Sequence, residues 1–303
     1  MKYMYFLLLA LLCTARATGQ TTIAEKLGYG KDATLLIIHA DDLGVAHSVD
    51  TASIAAYEAH GINSASIMVP CPWFPEIADY ARARPELDWG IHLTFTAEWE
   101  HYKWDGVLPA CDIPSLLDTT GYFYASVADF VAHADPVEVE AELRAQIDRA
   151  LAYGIRLTHL DSHMGSLYAA PVFTEILQRV GREYGLAVFQ PSALPIALDS
   201  TNIIVDEVHM MNEILPTDRW ATHYSDIIRN LPPGLHEIIV HLAFDDAEMR
   251  AVTVNHPAFG AAWRQNDFDY VTGEELRAVL KSEGVHLVDW GDLQRTLPFY
   301  RAD

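Results

Sequence analysis

Short β-rich apolar runs alternate with longer amphipathic stretches along this chain, and that alternation constrains its fold more than any other feature. Apolar runs occupy residues 34–40, 62–69, 88–95, 155–161, 186–190, 202–209, 236–243 and 285–289. Between them, helical spacing is found over 47–60, 74–84, 136–153, 171–184, 217–229 and 272–283. The stretch "PVEVEAELRAQIDRALAYG" illustrates it, with apolar and charged residues at helical intervals and Gly154 suited to a C-cap. Strand and helix repeated this often predict a parallel sheet or a β/α barrel, because parallel neighbours need a crossover between them. No Pro/Gly/Ser linker, composition break or short repeat divides the 303 residues. A chain of this length, 50% hydrophobic, can bury one large core.

The formal net charge of −22 repels phosphate backbones and argues against a nucleic-acid partner. The N-terminus, "MKYMYFLLLALLCTARATGQ", combines Lys2, an apolar run over 4–13 and the small-x-small triplet Ala15-Arg16-Ala17. Residues 1–17 therefore read as a cleavable signal peptide, and the expected location is secreted or periplasmic. No other segment is long and apolar enough to predict stable membrane insertion. Cys71 and Cys111 remain in the mature chain. They can pair in an oxidising compartment, but two cysteines make no disulfide framework and no zinc spacing. Nothing in the sequence indicates an oligomeric state.

Chemistry-bearing residues gather at the ends of the strand candidates. The first ends in His39-Ala40-Asp41-Asp42, the third contains His92, the fourth runs through His159 and Asp161 to His163, and the seventh carries His241. One such histidine is an ordinary core or surface residue. Four strand ends carrying His or Asp would converge on one mouth of a barrel. Two neutral imidazoles and a carboxylate form a common divalent-metal triad that leaves coordination positions open. A spare aspartate beside the ligating one can take a proton from water. Residues 97–135 hold few clean elements but many aromatics, among them Trp99, Tyr102, Trp104, Tyr122, Phe123 and Tyr124. These either pack a long loop or form a wall against which sugar rings stack.

The successive motifs "HADDLG", "GIHLTFT", "THLDSHMG" and "HEIIVHLAF" resemble those of the YdjC-like carbohydrate deacetylases, which include the ChbG-type chitooligosaccharide deacetylases. The resemblance spans roughly residues 33 to 290, with the domain taken as 30–300. It implies an α/β single domain, a distorted (β/α) barrel of TIM-barrel type with about seven to eight strands. It implies one divalent metal ion, Mg2+ or Zn2+, and hydrolysis of N-acetyl groups on amino sugars. Carried over by position, Asp42, His92 and His163 would hold the metal. Asp41 would be the general base, and His241 a candidate acid or oxyanion stabiliser. The cation would then offset the cost of keeping two adjacent carboxylates ionised.

The chain departs from the family pattern at two places. Many relatives carry Asn where His39 stands, and further histidines where this chain has Met164-Gly165-Ser166. The predicted triad survives both changes, but the loop bordering the substrate does not match. Two alternatives follow: a catalytically altered glycan-binding protein on the same fold, or another metal-dependent hydrolase such as a sugar esterase.

Overall fold

A computed structural model describes residues 21–194 and 203–300. The predicted signal peptide lies outside the described residues. Among the described residues eight strands carry the fold: β1 Thr34–Leu43, β2 Ser64–Ile67, β3 Trp89–Leu93, β4 His159–Ser162, β5 Ala187–Val188, β6 Glu207–Met210, β7 Gly234–Val240 and β8 His286–Leu287. Every strand candidate read from the sequence contains or overlaps one of them. The helices among the described residues are α1 Ile23–Lys26, α2 His47–Glu58, α3 Phe74–Ala83, α4 Val127–His133, α5 Pro136–Ala152, α6 Pro171–Tyr184, α7 Thr217–Asn230, α8 Ala247–Val252, α9 Ala261–Thr272, α10 Glu274–Glu283 and α11 Trp290–Gln294. The six predicted helices correspond to α2, α3, α5, α6, α7 and α10.

All strand pairs are parallel, in the order β5-β4-β3-β2-β1-β7-β6. β7 follows one edge of β1 without interruption, from Thr34↔Gly234 to Ala40↔Val240. The other edge is shared end to end. β8 pairs with Leu35 and Leu36, and β2 takes over at His39. Asn63 bridges the changeover: its Oδ1 accepts the Ile38 amide at 2.8 Å and its Nδ2 donates to the Val288 carbonyl at 2.7 Å. Displacing β8 from between β7 and β1 distorts the barrel. At the far seam, the segments after β5 and before β6 meet through a parallel bridge at Pro191↔Val205.

Side-chain alternation along β1 separates two layers. Leu36, Ile38 and Ala40 join the larger cluster beneath the helices. Leu35 and Ile37 join the inner cluster with Leu235, Ile239 and Trp290. Burying each Leu or Ile of this kind contributes about 1.5–3 kcal/mol. His39 and Asp41 continue the inner series, as Glu237 does on β7, so the interior turns from apolar to charged toward the strands' C-terminal ends. There the His159 ring lies against Gly90, where an added Cβ would clash with Nε2.

The long 97–135 connection is held by α5. Both oxygens of buried Glu142 accept loop amides, Val107 at 2.8 Å and Leu108 at 2.9 Å. Trp99, Trp104 and Phe123 are buried, whereas Tyr122 is exposed. Most of this aromatic segment is therefore packing. Cys71, buried, and Cys111, exposed, are both free. Among the described residues, no helix is long and apolar enough to cross a membrane.

Candidate metal centre

The two aspartates of β1 face one mouth because the strand bulges there. The β1–β2 register slips between Ala40 and Leu43, which adds one residue to β1. Asp42 absorbs the slip with φ of 70°, a left-handed conformation unusual for a non-glycine residue. In regular alternation Asp41 and Asp42 would point to opposite faces. The bulge brings Asp42 Oδ1 to 3.4 Å from His92 Nε2 and 3.3 Å from His163 Nδ1. Its other oxygen, Oδ2, accepts from Arg264 Nη2 at 2.6 Å. Strand β3 supplies His92. His163 follows β4 immediately, where Met164 also takes a positive φ of 52°.

Each predicted ligand is held from behind by a further residue. His92 Nδ1 lies 2.7 Å from Asp161 Oδ1, which leaves Nε2 toward Asp42. His163 Nε2 lies 3.0 Å from Glu98 Oε2, which leaves Nδ1. A carboxylate behind a ligating imidazole fixes its tautomer and orientation. His39 sits beneath, with Nε2 3.1 Å from Asp41 Oδ1 and 3.2 Å from Asp161 Oδ2. The hydroxyls of Ser64 and Ser66 lie 2.8 and 3.0 Å from its two ring nitrogens. His241, just past the end of β7, places Nε2 3.9 Å from Asp41 Oδ2. Its backbone amide donates to Asp267 Oδ2 at 3.0 Å, and Asp267 also accepts from Trp220 and Tyr224.

Burial and charge set opposite ionisation tendencies here. Burial alone would neutralise Asp42, but Arg264, His163 and His92 outweigh it and hold the carboxyl well below its usual range. Burial likewise opposes charge on His92, yet Asp41 and Asp161 raise its pKa well above normal. His163 rises to about 9 because Glu98 and Asp42 outweigh its burial. For His241, burial prevails over the attraction of Asp42 and Asp41, and its pKa falls to about 4. His241 is thus neutral at pH 7, while the two other imidazoles share protons with carboxylates.

The donor set fits a divalent cation. Asp42 Oδ1 is buried and has no hydrogen-bond partner. Asp42, His92 and His163 each present a donor atom within 4.8 Å of the others. Donors of a compact tetrahedral site bonded at about 2.0–2.2 Å lie roughly 3.3–3.5 Å apart, near the spacings found here. A cation would take the place of the imidazole protons.

Sequence reasoning brought Asp41, Asp42, His92, His163 and His241 to one mouth, and the structure groups all five. Of the residues that hold them, His39 and Asp161 stand at the strand ends already named, but others do not. Arg264 and Asp267 lie on α9, more than 200 residues beyond Asp42 along the chain. Glu237 interrupts an apolar strand with a charge, a signal visible in the sequence. Its carboxyl, 3.7 Å from His39 Nδ1, is raised by burial to about 8.

Comparison with known proteins identifies the family. Residues 35–282 match the family described as YdjC-like protein. The chain belongs to the YdjC-like family. That is the family its four motifs resemble. A protein of Thermus thermophilus named carbohydrate deacetylase is 30% identical over 289 residues, covering 91% of this chain and 99% of that relative. A carbohydrate deacetylase of Brevibacillus brevis is 29% identical, covering 85% of this chain and 99% of its own length. Among solved structures, a protein of Enterococcus faecalis V583, provisionally named for cellobiose-phosphate cleavage, matches with a TM-score of 0.73. It is 24% identical and covers 86% of this chain and 99% of its own, which supports a shared fold. This YdjC-like protein therefore shares its fold with the Enterococcus faecalis protein.

Proposed function

We propose that this YdjC-like protein is a metal-dependent carbohydrate deacetylase that hydrolyses N-acetyl groups of amino sugars outside the cytoplasm. The observation that carries the reading is Asp42 Oδ1, a buried carboxylate oxygen without a hydrogen bond that faces two imidazole nitrogens beside a second aspartate. The names of the two bacterial relatives supply the substrate class. Asp42, His92 and His163 would hold the ion, Mg2+ or Zn2+, and two imidazoles with one carboxylate suit zinc better than magnesium. When bound, the ion supplies Lewis acidity toward water and the amide carbonyl.

The reaction consumes one water and yields acetate and a free amine. Asp41 takes a proton from the attacking water as its oxygen bonds to the carbonyl carbon. His39 lies beside Oδ1 of Asp41, which leaves Oδ2 toward His241 and the mouth. His241, neutral at pH 7, offers one N–H to the oxygen on which negative charge develops. The C–N bond then breaks, and the proton held by Asp41 passes to the leaving nitrogen. Lys2, the apolar run and Ala15-Arg16-Ala17 support export.

The test is acetate release from N-acetylglucosamine oligomers and from O-acetylated sugars, with metal analysis of each variant. Asp41→Asn keeps the ion and lowers turnover by about 10² to 10⁴-fold, the usual cost of losing a general base. Asp42→Asn loses ion and activity together. Reversed outcomes would exchange the two roles. Full activity in both variants would refute the site, and turnover confined to O-acetyl esters would make the protein an esterase.

A further inference from the structure

We propose that Glu207, His209 and His236 form a second divalent-metal site, of the zinc class, on the outer wall of the barrel. The strands bring these residues together by register. Glu207 pairs with His236 across β6 and β7, and His209 stands two residues after Glu207 on the same face. His236 shares its face of β7 with Ile238 and Val240, which pack in the outer cluster with Trp220, Tyr224 and Ile228 of α7. Glu237 points the other way, toward His39. This cluster is therefore separate from the centre at the barrel mouth.

Its geometry is that of a ligand set. Glu207 Oε2 lies 3.2 Å from His209 Nε2 and 3.9 Å from His236 Nδ1. All three donors fall within 4.8 Å of one another. Nitrogen and oxygen donors around tetrahedral zinc, bonded at about 2.0–2.2 Å, lie roughly 3.3–3.5 Å apart. Small side-chain adjustments would close the set on an ion.

The decisive observation is the tautomer of His236. Its Nε2 lies 2.8 Å from the Pro232 carbonyl oxygen, which can only accept, so Nε2 carries the hydrogen. Nδ1 then holds a lone pair. This nitrogen is buried in a side chain with 0% exposure and has no hydrogen-bond partner. A buried acceptor left without a partner is rare and calls for an explanation. An imidazole bonded to a backbone carbonyl through one nitrogen, with the other free, is how proteins orient a metal ligand.

Glu207 and His209 are partly exposed and line a cavity of about 500 Å³, together with His223 and Asp226 of α7. The cavity gives an ion its entry and leaves a coordination position open. Two imidazoles and one carboxylate favour zinc, cobalt or nickel over magnesium. An ion here would clip β6 to β7 near the seam at Pro191↔Val205.

The experiment uses the full chain, stripped of metal and titrated with Zn2+ or Co2+, with bound metal counted after gel filtration. His163→Ala disables the mouth centre and should retain about one zinc per chain. His163→Ala combined with His209→Gln should retain none. His209→Gln alone should lose one zinc and keep wild-type deacetylase turnover, and Co2+ should lose its tetrahedral visible absorption at this site. Glu207→Gln, a change at an exposed position, should repeat the loss of zinc and decides the matter if His209→Gln folds poorly. No zinc in His163→Ala, or equal zinc with and without His209→Gln and Glu207→Gln, would overturn the proposal. Because the count of this ion does not depend on turnover, a failure of the deacetylase reading leaves the result interpretable.

Discussion

Arg264→Met tests the electrostatic frame of the candidate metal centre most directly. Arg264 and Asp42 are both nearly inaccessible, with side-chain exposures of 2% and 4%. Their contact is 2.6 Å, and the two charges belong to α9 and β1. At an effective dielectric constant of 20 and a charge separation near 4 Å, the attraction is about 4 kcal/mol. Desolvation offsets much of this while both partners are present. Removing the guanidinium leaves Asp42 charged and buried, at a typical cost of about 3–5 kcal/mol. For a chain of this size that corresponds to a fall of roughly 5–8 °C in melting temperature.

Arg264 also donates to the Phe259 carbonyl at 2.7 Å and lies over the Trp99 ring at 5.5 Å. Its loss therefore includes contributions unrelated to Asp42. A double-mutant cycle with Asp42→Asn, run on chelator-treated protein by urea denaturation, separates them. The double variant should be more stable than the sum of the single losses implies, by about 1–3 kcal/mol. A coupling energy below about 0.5 kcal/mol would show that Arg264 acts through Phe259 and Trp99, and that Asp42 needs no cationic partner there.

Three further expectations follow from particular contacts. Asp161→Asn removes the charge behind His92 and should weaken metal affinity about 10 to 100-fold, measured by competition with a chelating dye; unchanged affinity would mean that the 2.7 Å contact does not orient the ligand. Asp88, which accepts from the Trp290 and Gly291 amides, is raised by burial and by Asp289 to about 6. The fold therefore holds its proton more tightly than the unfolded chain does, so this stabilisation is complete below about pH 4 and is lost as pH rises through 6, about 3 kcal/mol in all. Denaturation of wild type and Asp88→Asn between about pH 4 and 7 should show that difference in slope, and parallel curves would refute it. Exported protein should begin near residue 18 by mass spectrometry, whereas an intact Met1 would count against the signal peptide.

The parts of this fold legible in the sequence are those where one physical requirement dominates. β1 and β7 are covered by apolar clusters on both faces, so they read as largely apolar runs whatever their neighbours do. α6 and α7 each bury one stripe, and helical spacing finds them. α9 does not read as a helix because its buried face carries Arg264 and Asp267 among apolar residues, so polarity no longer tracks burial. The same two residues support the candidate centre, and their role there is what hides the element that carries them.

The site was legible in the same uneven way. Its predicted ligands stand at strand ends, where parallel topology brings distant residues together and sequence order suffices to list them. The bulge at Asp42 has no such signature. A positive φ at an aspartate is a local choice enforced by Arg264 on one oxygen and by the register slip that Leu43↔Ile67 accommodates. Strained backbone of this kind persists where surrounding contacts over-determine it, and it gathers at functional sites. From the sequence, two carboxylates ending a hydrophobic run fit either a solvated turn or a site at a strand end, and the structure buries both. What turned both toward one mouth was tertiary: a helix supplying a cation from 222 residues away and a histidine, His39, holding the first aspartate from below.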